Sequence, residues 1–135
     1  MKDESLCLHA GYTPENAGPR VMPIVQSTTF RYDTTKDIAD LFDLKTANYF
    51  YTRLGNPTCG HVEEKIAALE GGVGAMLTSS GQAATLTSVL TIAKAGDRIL
   101  CSASVYGGTF NLMAVTFKRM GIEVDFFEQS ESDEE

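Results

Sequence analysis

The chain has 135 residues, of which 43% are hydrophobic and 21% charged, and its 11 basic and 18 acidic residues give a net charge of -7. This composition is typical of a globular chain that can bury a core. The chain lacks the basic patch that nucleic-acid binding requires, and no apolar run approaches the roughly 18 residues of a membrane span. We therefore expect neither a nucleic-acid nor a membrane partner.

The three cysteines of the chain are odd in number, and no two of them have C-x-x-C spacing. This pattern argues against a disulfide framework and a zinc site, so we expect no metal. Free thiols suit a reducing cytosol, and the first residues lack the apolar core of a secretory signal. The sequence therefore predicts a cytoplasmic protein.

The chain begins with a segment of weak periodicity, which we interpret as an irregular arm over residues 1–60. Pro14, Pro19 and Pro23 break this segment early. One short helix is predicted from Thr35 to Leu44. Because long structureless segments are uncommon in compact domains, we expect the arm to pack on another surface, such as a second subunit.

From residue 58 onward, helical and strand patterns alternate. In the second predicted strand, Ile99, Leu100 and Cys101 are expected to face the core. Such alternation predicts an α/β fold with parallel strands. The predicted elements are a helix from Thr58 that Gly71 ends, a strand Ala75–Thr78, a helix Gln82–Lys94, a strand Arg98–Ser102, a helix over Phe110–Phe117 that Gly121 ends, and a strand Ile122–Phe127.

The last residues resemble the start of a further helix. Ser130-x-x-Asp133 and Ser132-x-x-Glu135 both have the spacing of a helix N-cap with acids in the first turn. Three strands would also form a thin sheet with open edges. We therefore expect the chain to be an N-terminal fragment of a longer polypeptide.

The run Ser79-Ser80-Gly81-Gln82 follows the first predicted strand and opens a helix. A helix N-terminus offers unpaired N–H groups and a positive dipole end, and Gly81 permits close approach of a ligand. We predict that Ser80, Gly81 and Gln82 form a turn whose N–H groups bind an anion, best interpreted as a phosphate. The alternative is that the Ser-Gly pair only caps the helix.

Tyr51 and Arg53 lie two residues apart, just before a Gly-Asn-Pro turn. In an extended segment their side chains would point to the same side, so an arginine fork and a phenol could grip one phosphate. The alternative is a surface arginine next to a half-buried tyrosine.

Tyr106 follows the second predicted strand and precedes two glycines. Because ligands bind at the carboxyl ends of parallel strands, Tyr106 is expected at the same edge as Gly81. There it could stack on a flat heteroaromatic ring, or it could be a core tyrosine at a strand end. No lysine lies in a convincing catalytic setting; they are Lys2, Lys36, Lys45, Lys65, Lys94 and Lys118.

Taken together, these motifs closely resemble the N-terminal part of the Cys/Met-metabolism family of pyridoxal-phosphate enzymes. The resemblance covers essentially the whole chain, and the order and spacing of its blocks make it specific. The blocks are Leu8–Gly11, Pro23–Thr28, Tyr51–Thr58, Leu69–Gly72, Ser79–Ala83 and Tyr106–Thr109.

The resemblance implies fold type I, a three-layer αβα domain with a mostly parallel sheet. Residues 1–60 would be an N-terminal arm that contributes to the neighbouring subunit's active site. Residues 61–135 would be the first part of the large domain that binds pyridoxal 5'-phosphate. The implied assembly is a homo-oligomer, a dimer of dimers, and the Schiff-base lysine would lie downstream of Glu135.

The resemblance also assigns roles to the site residues. Tyr51 and Arg53 would bind the cofactor phosphate of the neighbouring subunit, while Ser80, Gly81 and Gln82 would bind the phosphate of their own. Tyr106 would stack on the pyridine ring. Tyr51 and Tyr106 would also assist proton transfer near the leaving group.

The function implied for the full-length protein is γ-replacement on an amino-acid substrate, as in O-acetylhomoserine sulfhydrylases of methionine and cysteine biosynthesis. Gln82 and the run Tyr106–Thr109 resemble that branch, whereas methionine γ-lyases have a cysteine where this chain has Gly108. Two alternatives stay open. One is a γ-lyase or cystathionine synthase of the same family, and the other is a non-catalytic fragment that acts only as an assembly partner.

Overall fold

The computed structural model describes residues 2–128, which form two compact units, one up to Leu77 and one from Thr78 onward. The helix start predicted at Ser130 and Ser132 lies outside the described residues. The first unit contains α1 (Asp3–His9), α2 (Thr35–Phe42) and α3 (Pro57–Glu70); the second contains α4 (Gly81–Ile92), β1 (Arg98–Ser102), α5 (Gly107–Asn111), which continues as a π-helical segment (Leu112–Phe117), and β2 (Glu123–Phe127).

The N-terminal arm is more regular than the sequence predicted, because α1 forms before the prolines that suggested irregularity. Asp3 and Glu4 lie in its first turn, where their negative charges complement the helix dipole. The Nζ atom of Lys65 in α3 donates a hydrogen bond to the carbonyl oxygen of Cys7 at 2.9 Å and so ties α1 to α3. The prediction of an irregular arm was therefore wrong for residues 3–9, whereas residues 10–34 contain no helix or strand.

Helix α3 has clear start and stop signals. Asn56 is its N-cap and accepts a hydrogen bond from the Thr58 N–H, and Pro57 occupies the first helical position. Gly71 ends the helix in the left-handed conformation, with a φ of 64°. The predicted end of this helix is thus confirmed. Helix α2 begins at Thr35 as predicted but ends at Phe42 instead of Leu44.

The second unit contains a parallel pair of strands, as the sequence predicted. β1 has its predicted bounds, and it pairs with β2 from Arg98 opposite Glu123 to Ser102 opposite Phe127. The Arg98 guanidinium donates a hydrogen bond to the Glu123 carboxylate, and this bond, together with the nearby charge of Asp125, raises the pKa of the exposed guanidinium. Because exposed ion pairs contribute little to stability, burial on one face must hold this sheet.

The core of the second unit lies between the two strands and the π-helical segment. Phe117 is fully buried with 0% of its surface exposed, and Ile122 and Met113 are buried beside it. Ile99 of β1 packs against this cluster, but Leu100 points to the other face and is 69% exposed. The prediction that Leu100 faces the core was wrong because successive strand residues alternate between faces.

The segment 75–78, predicted as a strand, forms none within the described residues. A strand needs a ladder partner, and none of residues 2–128 pairs with this segment. The backbone N–H of Leu77 instead donates to the Glu63 carboxylate at 2.7 Å. The segment is apolar, as the sequence predicted, but a strand forms only when a second segment pairs with it. A local sequence pattern does not show whether that second segment is present.

Candidate functional site

The three residues predicted to bind an anion, Ser80, Gly81 and Gln82, lie at the N-terminus of α4. The Ser80 hydroxyl oxygen accepts the N–H of Ala83 at 3.1 Å, and the Ser80 carbonyl accepts that of Ala84 at 3.0 Å. The N–H groups of Gly81 and Gln82 have no acceptor within residues 2–128. Capping and anion binding are therefore compatible here, because the cap occupies the third N–H and leaves the first two available.

Tyr106 and Gln82 lie together, both against Gly108. The Gln82 Nε2 donates to the Thr109 hydroxyl oxygen at 3.2 Å. A Cβ built on Gly108 would stand 2.7 Å from the Tyr106 Cε1 and 3.0 Å from the Gln82 Nε2. Tyr106 is 77% exposed, so it is not the core tyrosine of the alternative reading. The glycine thus permits an aromatic ring to lie next to the start of α4.

Tyr51 and Arg53 also lie side by side, but for a reason other than the predicted one. The segment is a turn and not an extended strand, since the N–H groups of Leu54 and Gly55 donate to the Tyr51 carbonyl at 2.8 and 3.1 Å. The Arg53 guanidinium carbon lies 5.4 Å from the centroid of the Tyr51 ring. The pair belongs to the first unit, in which Arg53 is exposed and Tyr51 is half-buried.

Two residues that sequence reasoning passed over support these groups. Asn56 is only 5% exposed and makes hydrogen bonds in both directions along the chain. Its position before Pro57, at the start of an apolar helical pattern, is a recognisable N-cap signal. Thr109 fixes the Gln82 amide, but no local pattern indicates that contact across 27 positions of sequence.

Five of the six lysines in the described residues are exposed. Lys65 is half-buried and donates to a backbone carbonyl, and Lys36 pairs with Asp40 one turn further along α2. The other lysines are exposed; they are Lys2, Lys45, Lys94 and Lys118.

Two open cavities of about 520 and 600 Å³ lie in the first unit. Neither cavity is lined by any of the predicted site residues. The candidate site is therefore supported by its hydrogen-bond donors and not by a cavity. Within residues 2–128, no group of three or more His, Cys, Asp or Glu side chains could hold a metal ion. No helix in the same part of the chain combines the length and apolar character needed to cross a membrane.

These features together define a class of protein. Within residues 78–128, a parallel α/β unit carries two N–H groups without an acceptor at a helix N-terminus, and an exposed aromatic ring and the Gln82 side chain both lie close to Gly108. Such N–H groups bind phosphate, and such a ring stacks on a flat cofactor. The chemistry of these groups in the second unit therefore fits the class of domains that bind a phosphorylated aromatic cofactor.

Comparison with known proteins identifies the family. The family model of the Cys/Met metabolism PLP-dependent enzymes matches residues 4–135, and the chain belongs to this family. It is 43% identical over 97% of its length to the O-acetyl-L-homoserine sulfhydrylase of Leptospira meyeri, and spans 30% of that protein. It is 45% identical over its full length to O-acetyl-L-homoserine sulfhydrylase 1 of Thermus thermophilus, and spans 32% of it.

Other members of the family are similar to a comparable degree. The L-methionine gamma-lyase of Fusobacterium nucleatum is 45% identical over 94% of the chain, which spans 32% of that protein. The solved metY protein of Campylobacter jejuni superimposes with a TM-score of 0.88 at 32% identity, over 95% of this chain and 32% of its own. That structure contains N'-pyridoxyl-lysine-5'-monophosphate. The fold type I assignment and the pyridoxal-phosphate cofactor are thereby confirmed.

Proposed function

We propose that the full-length protein to which these residues belong is an O-acetyl-L-homoserine sulfhydrylase that uses pyridoxal 5'-phosphate. It would replace the acetate of the substrate by sulfide and yield homocysteine for methionine and cysteine biosynthesis. The similarity to two sulfhydrylases supports the substrate. The observation that carries the proposal is the open N-terminus of α4 beside the exposed ring of Tyr106.

The donors in this chain fit the phosphate of the cofactor. Gly81 and Gln82 would each donate a backbone N–H to a phosphate oxygen, and the α4 dipole would favour its negative charge. Ser80 would hold the turn in shape through its bond to the Ala83 N–H. A Cβ on Gly81 would meet nothing within 4 Å among the described residues, so the approach to these donors is open.

Tyr51 and Arg53 would bind the phosphate in the site of a neighbouring subunit. Their side chains are adjacent, and a guanidinium with a phenol can contact two oxygens of one phosphate. In this proposal, residues 1–60 form an arm that contributes to the active site of the neighbouring subunit, and the large domain begins at residue 61. We propose a homotetramer, built as a dimer of dimers, in the cytoplasm.

The cofactor supplies the electron sink of the reaction, and the protein supplies binding, orientation and proton transfer. Tyr106 would stack on the pyridine ring of the cofactor and so hold that ring in position relative to the substrate. The Tyr106 and Tyr51 phenols would hold or pass a proton near the leaving group. The catalytic lysine is proposed to lie outside this chain, because the lysines of residues 2–128 are solvated or engaged with backbone.

Two other functions each have one observation in their favour. A methionine or cystathionine γ-lyase of the same family is supported by the identity of 45% to a methionine gamma-lyase. A chain that acts only as an assembly partner is supported by the exposure of five of its six lysines.

The test uses the full-length protein with pyridoxal 5'-phosphate and one of two substrates. With O-acetyl-L-homoserine and sulfide we expect homocysteine and acetate in equal amounts. A γ-lyase would instead release 2-oxobutyrate and ammonia from methionine. Release of 2-oxobutyrate without homocysteine would refute the proposal in favour of the lyase, and no turnover of either substrate would favour the assembly role.

A further inference from the structure

Asn56 is the one buried polar residue among residues 2–128, and its side-chain amide joins three segments of the first unit. Its Nδ2 donates to the Val25 carbonyl at 3.0 Å and to the Thr52 hydroxyl oxygen at 3.1 Å. Its Oδ1 accepts the Thr58 N–H at 2.9 Å. A buried amide with both donors and its oxygen engaged permits only one arrangement of its neighbours.

Thr52 lies between Tyr51 and Arg53 and is held from several directions. Its hydroxyl accepts from Asn56 and donates to the Ser27 carbonyl. Its backbone N–H donates to the Thr28 carbonyl at 2.9 Å. Thr29 and Tyr51 form an antiparallel bridge. The turn that carries the two predicted phosphate ligands is thus fixed at its middle residue, and Asn56 is the buried end of that attachment.

We infer that Asn56 is a positioning residue for Tyr51 and Arg53. The inference rests on the proposed function, in which these two side chains bind a cofactor phosphate. An exposed arginine loses side-chain entropy when it binds a phosphate, and a fixed backbone limits that cost to the side chain itself. Asn56 contacts neither ligand side chain and acts through Thr52 and the turn.

The first test is Asn56→Asp in the full-length protein. Aspartate is as good an N-cap as asparagine, so the bond to the Thr58 N–H and the start of α3 are retained. The carboxylate has no donor for Val25 or Thr52 and repels the Val25 carbonyl oxygen. We expect the affinity for pyridoxal 5'-phosphate to fall by about tenfold, as when one charged hydrogen bond is weakened.

Asn48→Asp is the matched control, because it makes the same chemical change at an exposed position of the same unit. It should leave the affinity within about twofold of the parent protein, the usual range for surface substitutions. An equal loss of affinity in both variants would overturn the inference, since the effect would then come from added negative charge.

A double-mutant cycle separates positioning from general stability. In a Tyr51→Phe/Arg53→Ala background, Asn56→Asp should change the affinity by no more than about twofold, because the side chains that it positions are already lost. A tenfold loss in that background would overturn the inference. If the background variant alone binds the cofactor as tightly as the parent protein, the proposed phosphate role of the pair fails.

A cofactor-free readout tests the inference even in that case. In the parent protein, the stacking of Arg53 on the Tyr51 ring should shift the Arg53 side-chain proton resonances upfield. Asn56→Asp should remove this ring-current shift, and an unchanged shift would overturn the inference.

If Asn56→Asp does not fold, Thr52→Val removes the same hydrogen bond between Asn56 and residue 52, at an exposed position. Thr52→Ser keeps the hydroxyl and should restore both affinity and shift; failure of that rescue would count equally against the role.

Discussion

Gly108 offers a direct test of how Tyr106 is placed. In Gly108→Ala the new methyl group would lie 2.7 Å from the Tyr106 Cε1, closer than non-bonded carbon atoms come, and 3.0 Å from the Gln82 Nε2, which is a tight contact. The backbone of Gly108 has no positive φ, so alanine itself is accommodated. The ring of Tyr106 and the end of Gln82 must therefore move, while α5 stays in place.

The expected magnitudes follow from these contacts. Alanine in place of helical glycine stabilises by about 0.5–1 kcal/mol. Loss of the Gln82–Thr109 hydrogen bond costs about 0.5–1.5 kcal/mol, so the free energy of unfolding should change little. Loss of aromatic stacking costs about 0.5–1.5 kcal/mol, which corresponds to a cofactor affinity about twofold to tenfold lower. Binding should thus fall without a matching loss of stability.

The assay is a fluorescence titration of the full-length protein with pyridoxal 5'-phosphate, together with urea unfolding. Gly107→Ala is the control, because a Cβ there would meet nothing within 4 Å among the described residues of the same short helix. Gly107→Ala should match the parent protein in affinity. The reasoning is refuted if both alanine variants bind equally well, or if Gly108→Ala loses affinity only in proportion to lost stability.

Three further predictions concern the core, the arginine and the chain itself. Phe117→Ala should lower the free energy of unfolding by about 3–5 kcal/mol in urea titrations, because the ring is fully buried; Phe127→Ala, with a partly exposed ring, should cost clearly less, and equal costs would contradict this view of the core. Arg53→Ala should weaken pyridoxal-phosphate binding about tenfold or more and change stability by less than about 0.5 kcal/mol; the exposed Arg31→Ala is its control, and unchanged affinity in Arg53→Ala would disprove the phosphate role. Residues 1–135 alone, given pyridoxal 5'-phosphate, O-acetylhomoserine and sulfide, should form no thiol product above the cofactor-only background. If they do form product, and if replacing one of their own lysines abolishes it, the catalytic amine lies in this chain.

The local elements of the protein follow from short-range sequence signals. The end of α3 at Gly71, the cap of α4 at Ser80 and both bounds of β1 agree with the sequence pattern, since caps, glycines and hydrophobic period act over a few residues. The order of motifs also indicated the family, because several weak patterns at a fixed spacing are jointly specific. The sequence by itself therefore determined the fold class and the residues that are candidates for binding the cofactor.

Only the tertiary structure decided which groups meet. It left segment 75–78 without a ladder partner among residues 2–128, and it turned Leu100 away from the core. It also placed Tyr106 and Gln82 against Gly108 and buried Asn56 beneath the turn of its unit. The physical reason is that ladder pairing, the choice of the buried face and side-chain contacts join residues distant in sequence, which no local period encodes.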